Sequence, residues 1–147
     1  MKKIIVFLTA ALMALMPMTA KAEDIRQPVY TDITVSEYEG DLLARILWAE
    51  ANDQSFEGQK AVIEVIFNRV RSKDWPNTIE GVLSQKSQFS TWKDRNRVTP
   101  TEVQCDVISE VLRETETVIP GDYVYFSTKK HKWMHDCFKI EDHYFGR

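Results

Sequence analysis

Apolar residues between positions 36 and 51 recur at the spacing of one helix face. Leu42, Leu43, Ile46 and Leu47 follow the i, i+3, i+4 rule, and Glu50 takes the next place on the same stripe. Ser36-x-x-Glu39 stands just ahead as a capping box, so a helix is expected from there. A second helical run spans about Phe56 to Arg71. Val62, Ile63, Ile66, Phe67 and Val70 form its stripe, and Val65 widens it. Lys60, Glu64, Asn68 and Arg71 fall opposite and are expected to face water. Trp75-Pro76-Asn77-Thr78 breaks the chain, and Thr78 is placed to cap a short helix through Val82 and Leu83.

Residues 84–99 are polar, with Phe89 and Trp92 set among Ser, Gln, Lys and Arg, and read as a loop. Thr99-Pro100-Thr101-Glu102 has the form of another capping box with proline at the first helical position. The helix it opens is expected to reach about Thr115 and to bury Val103, Val107 and Val111, with Ile108 and Leu112 as further candidates. Pro120-Gly121 marks a turn. Tyr123 to Ser127 and Phe138 to Phe145 have the aromatic and β-branched content of strands, joined by a polar loop, Thr128 to Asp136, that carries Trp133. Residues 23–35 form an irregular lead-in. The pattern predicts an α+β domain, mainly helical, closing on a small C-terminal antiparallel ribbon.

The first residues change the picture of what is mature protein. Lys2 and Lys3, the apolar run Ile4 to Met16, and Ala20-Lys21-Ala22 before Glu23-Asp24 read as a secretory signal peptide over residues 1–22. An uncleaved anchor is the alternative, but the run is shorter than the about 20 residues a membrane-spanning helix needs. No stable membrane insertion is expected after cleavage. No cysteine follows the apolar core, which argues against lipoprotein processing. Beyond residue 22 the chain holds 16 basic and 22 acidic residues. That balance gives no support to a nucleic-acid partner. Cys105 and Cys137 form an even pair in an exported chain and are expected to make a disulfide; two free buried thiols are the alternative. A disulfide would close a loop of about 30 residues and add roughly 3 to 4 kcal/mol.

Glu50 is the strongest local anomaly, an acid pointing where core residues point. Burial disfavours its charged form, and a glutamic acid kept protonated can protonate a glycosidic oxygen. The plain alternative is that it turns to solvent or pairs with Arg45. A second carboxylate often accompanies such an acid, and Asp53 and Glu57 are the near candidates. A route with one carboxyl group is equally open: it protonates the leaving oxygen, then takes the proton of an internal sugar hydroxyl. Gln59 lies on the buried side of its helix. It could orient Glu50, hold an acetamido group, or be a satisfied structural amide. Trp92 and Trp133, in polar loops, are the better candidates among the aromatic residues for stacking on sugar. His131 and His135, with His143 and Asp136 or Asp142, invite a metal hypothesis, but Lys132 stands where the H-E-x-x-H pattern needs glutamate.

Taken together, residues 42–90 resemble the start of the SleB-type cell-wall hydrolase family, the spore-cortex-lytic enzymes and their relatives. The resemblance is carried by Ala44-Arg45, Glu50-Ala51, Glu57-Gly58-Gln59, Asn68-Arg69-Val70, Pro76-Asn77-Thr78-Ile79, Gly81-Val82 and Gln88-Phe89-Ser90. It continues through Tyr123 to Phe126, Trp133 and Ile140-x-x-His143-x-Phe145. It implies a domain similar to lysozyme-like and resuscitation-factor-like folds over residues 40–147, with 23–39 as lead-in. It also implies cleavage of peptidoglycan glycan strands, as by lytic transglycosylases, without a cofactor. The family's catalytic glutamate falls on Glu50 and its motif glutamine on Gln59. Gln88, Phe89, Ser90, Tyr125, Trp133 and His143 become cleft candidates. The chain departs from the family where Glu-Ala-x-Gly-Glu is usual, carrying Glu50-Ala51-Asn52-Asp53-Gln54, and Glu64 replaces a small residue.

The expectation is therefore a metal-free, monomeric enzyme exported to the periplasm or beyond, with peptidoglycan as partner. A non-catalytic peptidoglycan-binding module and a zinc amidase or peptidase acting on stem peptides stand as alternatives.

Overall fold

The structure, a computed structural model, describes residues 26–147. The export signal expected over residues 1–22 lies outside the described residues. Four α-helices lead: α1 Glu37–Ala51, α2 Phe56–Arg71, α3 Ile79–Ser84 and α4 Glu102–Arg113. A 3₁₀ segment, Ser90–Arg97, sits between α3 and α4. Three short strands follow, β1 Tyr125–Ser127, β2 Phe138–Ile140 and β3 His143–Gly146. They form one antiparallel sheet in the order β1-β3-β2, with Phe126 and Phe138 both in register with Phe145.

The local signals at the helix starts act as expected in two cases. The Ser36 hydroxyl accepts the Glu39 N–H at 3.3 Å, and the Glu39 carboxylate accepts the Ser36 N–H at 3.0 Å. Thr78 caps α3 through the Gly81 N–H at 3.1 Å. At α4 the box is shifted. Thr101 is the cap and Gln104 its partner, the Thr101 N–H donating to Gln104 Oε1 at 2.9 Å. Pro100 therefore precedes the helix. Val103, expected to be buried, lies in the first turn of α4 and is 45 % exposed, while Val107, Ile108 and Val111 are buried.

α2 corrects the sequence reading most. Lys60, Glu64 and Asn68, expected to be wet, are buried, and of the four only Arg71 faces water. The reason is that the lead-in and the segment after α4 wrap that side. The Glu64 carboxylate accepts the Val118 and Ile119 N–H groups, each at 2.9 Å. Asn68 accepts the Tyr30 hydroxyl at 3.0 Å and donates to the Pro120 and Tyr123 carbonyls. Lys60 pairs with Glu114 at 2.5 Å and Glu57 at 3.2 Å. Each of these three buried side chains thus has its partner, as burial demands. The same contacts show that the lead-in, though irregular, is not loose: Tyr30 is buried edge-on against Phe67, with ring centroids 5.2 Å apart.

Two further expectations are corrected. Phe138 to Phe145 is not one strand. Glu141 adopts φ 47°, in the left-handed region, and Glu141-Asp142 turns the chain back so that β2 pairs with β3. Cys105 and Cys137 make no disulfide; both are free thiols. Cys105 lies on the exposed side of α4, in a groove with Val35, Ala44 and Ile108, whereas Cys137 leads into β2 beside Gly146.

Candidate active site

Glu50 stands in the last turn of α1, half-buried above Leu42, Leu43, Ile46 and Leu47, which are all buried. Its Oε1 accepts a hydrogen bond from the Thr91 hydroxyl at 2.7 Å. Thr91 belongs to the 3₁₀ segment, which packs along α1. Arg45, the alternative partner for Glu50, is engaged elsewhere. It pairs with Asp41 at 2.7 Å and donates to the Val98 carbonyl at 2.5 Å. The carboxyl of Glu50 is thereby held by a neutral donor and not by a cation.

His143 comes to the same region from β3. It is buried, its ring edge-on to Phe126 at 5.5 Å, and its Nδ1 is enclosed with no hydrogen-bond partner. Burial lowers its pKa below the ordinary value. The nearby negative charges of Asp53, Asp142, Glu50 and Glu141 pull the other way without prevailing. At neutral pH the imidazole is neutral.

The link between α1 and α2 brings β3 to α1. Gln54 is buried and clasps Asp142: its Nε2 donates to the carboxylate at 3.3 Å and its Oε1 accepts the Asp142 N–H at 3.1 Å. The Ser55 N–H donates to Glu141 at 2.6 Å. Gly58 explains its place in Glu-Gly-Gln. A Cβ there would lie 3.1 Å from Gln54 Cβ and 3.2 Å from the Glu141 carboxylate, closer than side chains normally approach.

The remaining candidates fall into separate groups. Gln59 is buried and bonded at both ends of its amide: it accepts Gln104 Nε2 at 3.0 Å and donates to the Gln54 carbonyl at 3.1 Å. It has no bond to Glu50 and no opening to solvent, which is the structural reading of that residue. Gln88, Tyr125 and Trp133 line a hollow of about 400 Å³ with Phe126, Ser127 and His131. Trp133 is 52 % exposed, edge-on to Tyr125 at 4.9 Å and stacked on His131 at 5.0 Å. Phe89 and Ser90 line a second hollow of about 330 Å³ with Trp92. Phe89 also meets Phe126 at 6.1 Å, which joins the two groups. Glu50 lines neither hollow; through Thr91, between Ser90 and Trp92, it adjoins the second.

Of the possible second carboxylates, Glu57 is drawn to Lys60 and Asp53 accepts Gln54 Nε2 at 2.9 Å. Among the described residues no three His, Cys, Asp or Glu side chains converge as metal ligands. His131 Nε2 lies 3.1 Å from the Ser127 hydroxyl. Sequence reasoning missed Thr91, Gln54 as a clasp, and Arg69 beneath the first hollow. Thr91 sits in a polar stretch with no periodicity to mark it.

Three comparisons bear on this arrangement. A family model described as Cell Wall Hydrolase matches residues 53–146, beginning three positions after Glu50. The spore cortex-lytic enzyme of Bacillus cereus is 29 % identical over 97 residues, covering 63 % of this chain and 37 % of that protein. The spore cortex-lytic enzyme of Bacillus subtilis is 38 % identical over 53 residues, 36 % of this chain and 17 % of the relative. The matched region thus spans well under half the length of these relatives. Among solved structures, the catalytic domain of the germination-specific lytic transglycosylase SleB from Bacillus anthracis aligns with TM-score 0.67 and 26 % identity, covering 76 % of this chain and 96 % of that domain. The catalytic domain of Bacillus cereus SleB aligns with the same score and identity over 86 % and 99 %. Fold and sequence define a cell-wall-hydrolase domain of the kind seen in SleB. The chain belongs to the cell wall hydrolase family.

Proposed function

We propose that this chain cuts the glycan strands of peptidoglycan by lytic transglycosylation, with Glu50 as its acid and base. The observation that carries this reading is the setting of Glu50: half-buried, held by a hydroxyl, free of any cation, and beside the segments that bear Phe89 and His143. In the reaction Glu50 gives its proton to the glycosidic oxygen as the bond to the anomeric carbon breaks. The carboxylate then accepts the proton of a hydroxyl on the same sugar, whose oxygen closes onto the anomeric carbon as an internal ether. The first proton stays on the departing sugar as its new hydroxyl hydrogen, the second leaves Glu50 protonated again, no water is consumed, and one carboxyl group suffices. Asp53 and Glu57, both tied to other side chains, are not needed.

Several finer statements belong to the same proposal. Residues 40–147 form the catalytic domain, the mature chain acts outside the cytoplasm as a monomer, and peptidoglycan is its partner. The family match and the likeness to SleB domains support the substrate class. No helix among the described residues is long and apolar enough to cross a membrane. Mass analysis of fragments released from purified peptidoglycan tests the chemistry. Sugar ends lighter by one water than reducing ends are expected; only reducing ends would mean hydrolysis by a water nucleophile.

A further inference from the structure

Arg69 is a charge buried without an acid. Six of the eight arginines among the described residues pair with carboxylates: Arg26, Arg45, Arg71, Arg97, Arg113 and Arg147. Of the other two, Arg95 is half-buried, while Arg69 is 3 % exposed. Its Nε donates to the Val124 carbonyl at 2.7 Å, and its Nη1 is enclosed with no partner. The rings of Trp75 and Phe89 lie over the guanidinium, with centroids at 4.1 and 5.5 Å. Aromatic faces compensate a cation only in part. A buried charge with one hydrogen bond and no counter-ion costs several kcal/mol. Burial lowers the Arg69 pKa to about 10, so the cost is borne with the proton retained at neutral pH.

Arg69 is among the residues that line the first hollow, together with Gln88, Ser127 and Trp133, and no acidic side chain lines it. The hollow therefore has one fixed positive charge in its wall, neutral donors and an exposed indole. The exposed loop residues Lys129, Lys130 and Lys132, close in sequence to Ser127 and Trp133, add charge of the same sign. Such a site fits an anionic group attached to an apolar ring face. We propose that Arg69 forms a subsite for a carboxylate borne by the glycan, on the stem peptide where one is attached and on the lactyl group where the peptide has been removed. The proposal rests on the glycan-cutting reading above. Arg69 acts there as a specificity residue, supplying charge-assisted hydrogen bonds to a substituent and no step of the reaction.

The test uses the full chain and three forms of one purified peptidoglycan: native, with every carboxyl group amidated, and stripped of peptides so that only lactyl carboxylates remain. The wild-type kcat/KM is expected to fall about tenfold on the amidated form, the size of one charge-assisted contact. Arg69→Met should lower the rate on native glycan to that level and match the wild type on amidated glycan, with Arg69→Lys between them. The lactyl carboxyl of native glycan is bonded to the stem peptide, so the fall on amidation reads stem-peptide carboxylates alone. Stripped glycan cut like native then shows that the freed lactyl carboxylate fills the same subsite; cut like amidated glycan, it shows that only a stem-peptide carboxylate does. Equal wild-type rates on native and amidated glycan overturn the subsite, and need no variant to fold. Cleavage of neither form sinks the glycan-cutting reading instead. In that event co-sedimentation with the two insoluble forms still decides the subsite. Beyond residue 22 the chain has six more acidic than basic residues. Simple charge repulsion therefore predicts tighter binding once the wall carboxylates are neutralised. About tenfold weaker binding supports the subsite, and unchanged or tighter binding refutes it.

Discussion

Gln54 grips Asp142 at both ends of its amide, donating to the carboxylate at 3.3 Å and accepting the backbone N–H at 3.1 Å. Only an amide can do both, since an ionised carboxylate has no hydrogen to give. The clasp ties the end of α1 to the turn before β3, and so sets His143 beside the Glu50 region. Glutamate at position 54 would lose both bonds that Nε2 donates, to Asp53 and to Asp142, and would face the two carboxylates with like charge. Gln54→Glu is expected to lower stability at pH 7 by about 1–3 kcal/mol, read by urea unfolding. An unchanged midpoint would show that the clasp carries no weight.

Thr91 acts through Glu50. Removing its hydroxyl in Thr91→Val should cut kcat about tenfold while leaving KM within about twofold, because the lost bond orients the acid and touches no remote part of the substrate. Thr91→Ser should restore most of the rate. A rise in KM at constant kcat would place Thr91 in substrate binding.

Glu64 makes stability depend on pH. Burial raises its pKa from 4.5 to about 7, outweighing its two backbone hydrogen bonds. The folded state therefore binds more protons than the unfolded chain between those values. The stability it contributes is complete below about pH 4.5 and is lost as pH rises through about 7. The loss is about 3 kcal/mol by the shift. The difference in Tm between wild type and Glu64→Gln should narrow steadily over that range. A constant difference would mean that Glu64 titrates as it does in the unfolded chain.

With both thiols free, Cys105→Ser combined with Cys137→Ser should change stability by no more than about 0.5 kcal/mol per site. A disulfide would contribute roughly 3 to 4 kcal/mol. In the folded chain a thiol reagent should label Cys105 first, as it lies exposed on α4. A single oxidised species that labels only after reduction would restore the bridge.

Local signals were legible where neighbours in sequence decide the outcome. The boundaries of α2 and the caps of α1 and α3 follow from periodicity and from Ser36 and Thr78. The wet face of α2 was misread because segments more than 50 positions away cover it, at Val118, Pro120 and Tyr123, and periodicity carries no trace of them. Glu50 stood out by interrupting an apolar stripe. Its donor Thr91, the Gln54 clasp and the unpaired charge of Arg69 are relations between distant positions, and only the fold displays them. Gln59 shows the converse. Its burial was readable, but which partners satisfied it was not.

The most direct measurement is the release of soluble fragments from purified peptidoglycan by Glu50→Gln beside the wild type, each checked by thermal unfolding. The substitution keeps an acceptor for Thr91 and removes the transferable proton. The predicted result is an unchanged Tm and a loss of at least about a thousandfold in rate, the scale of general acid–base catalysis. Cleavage at an undiminished rate by the folded variant would contradict it, and would mean that another group hands the proton to the sugar.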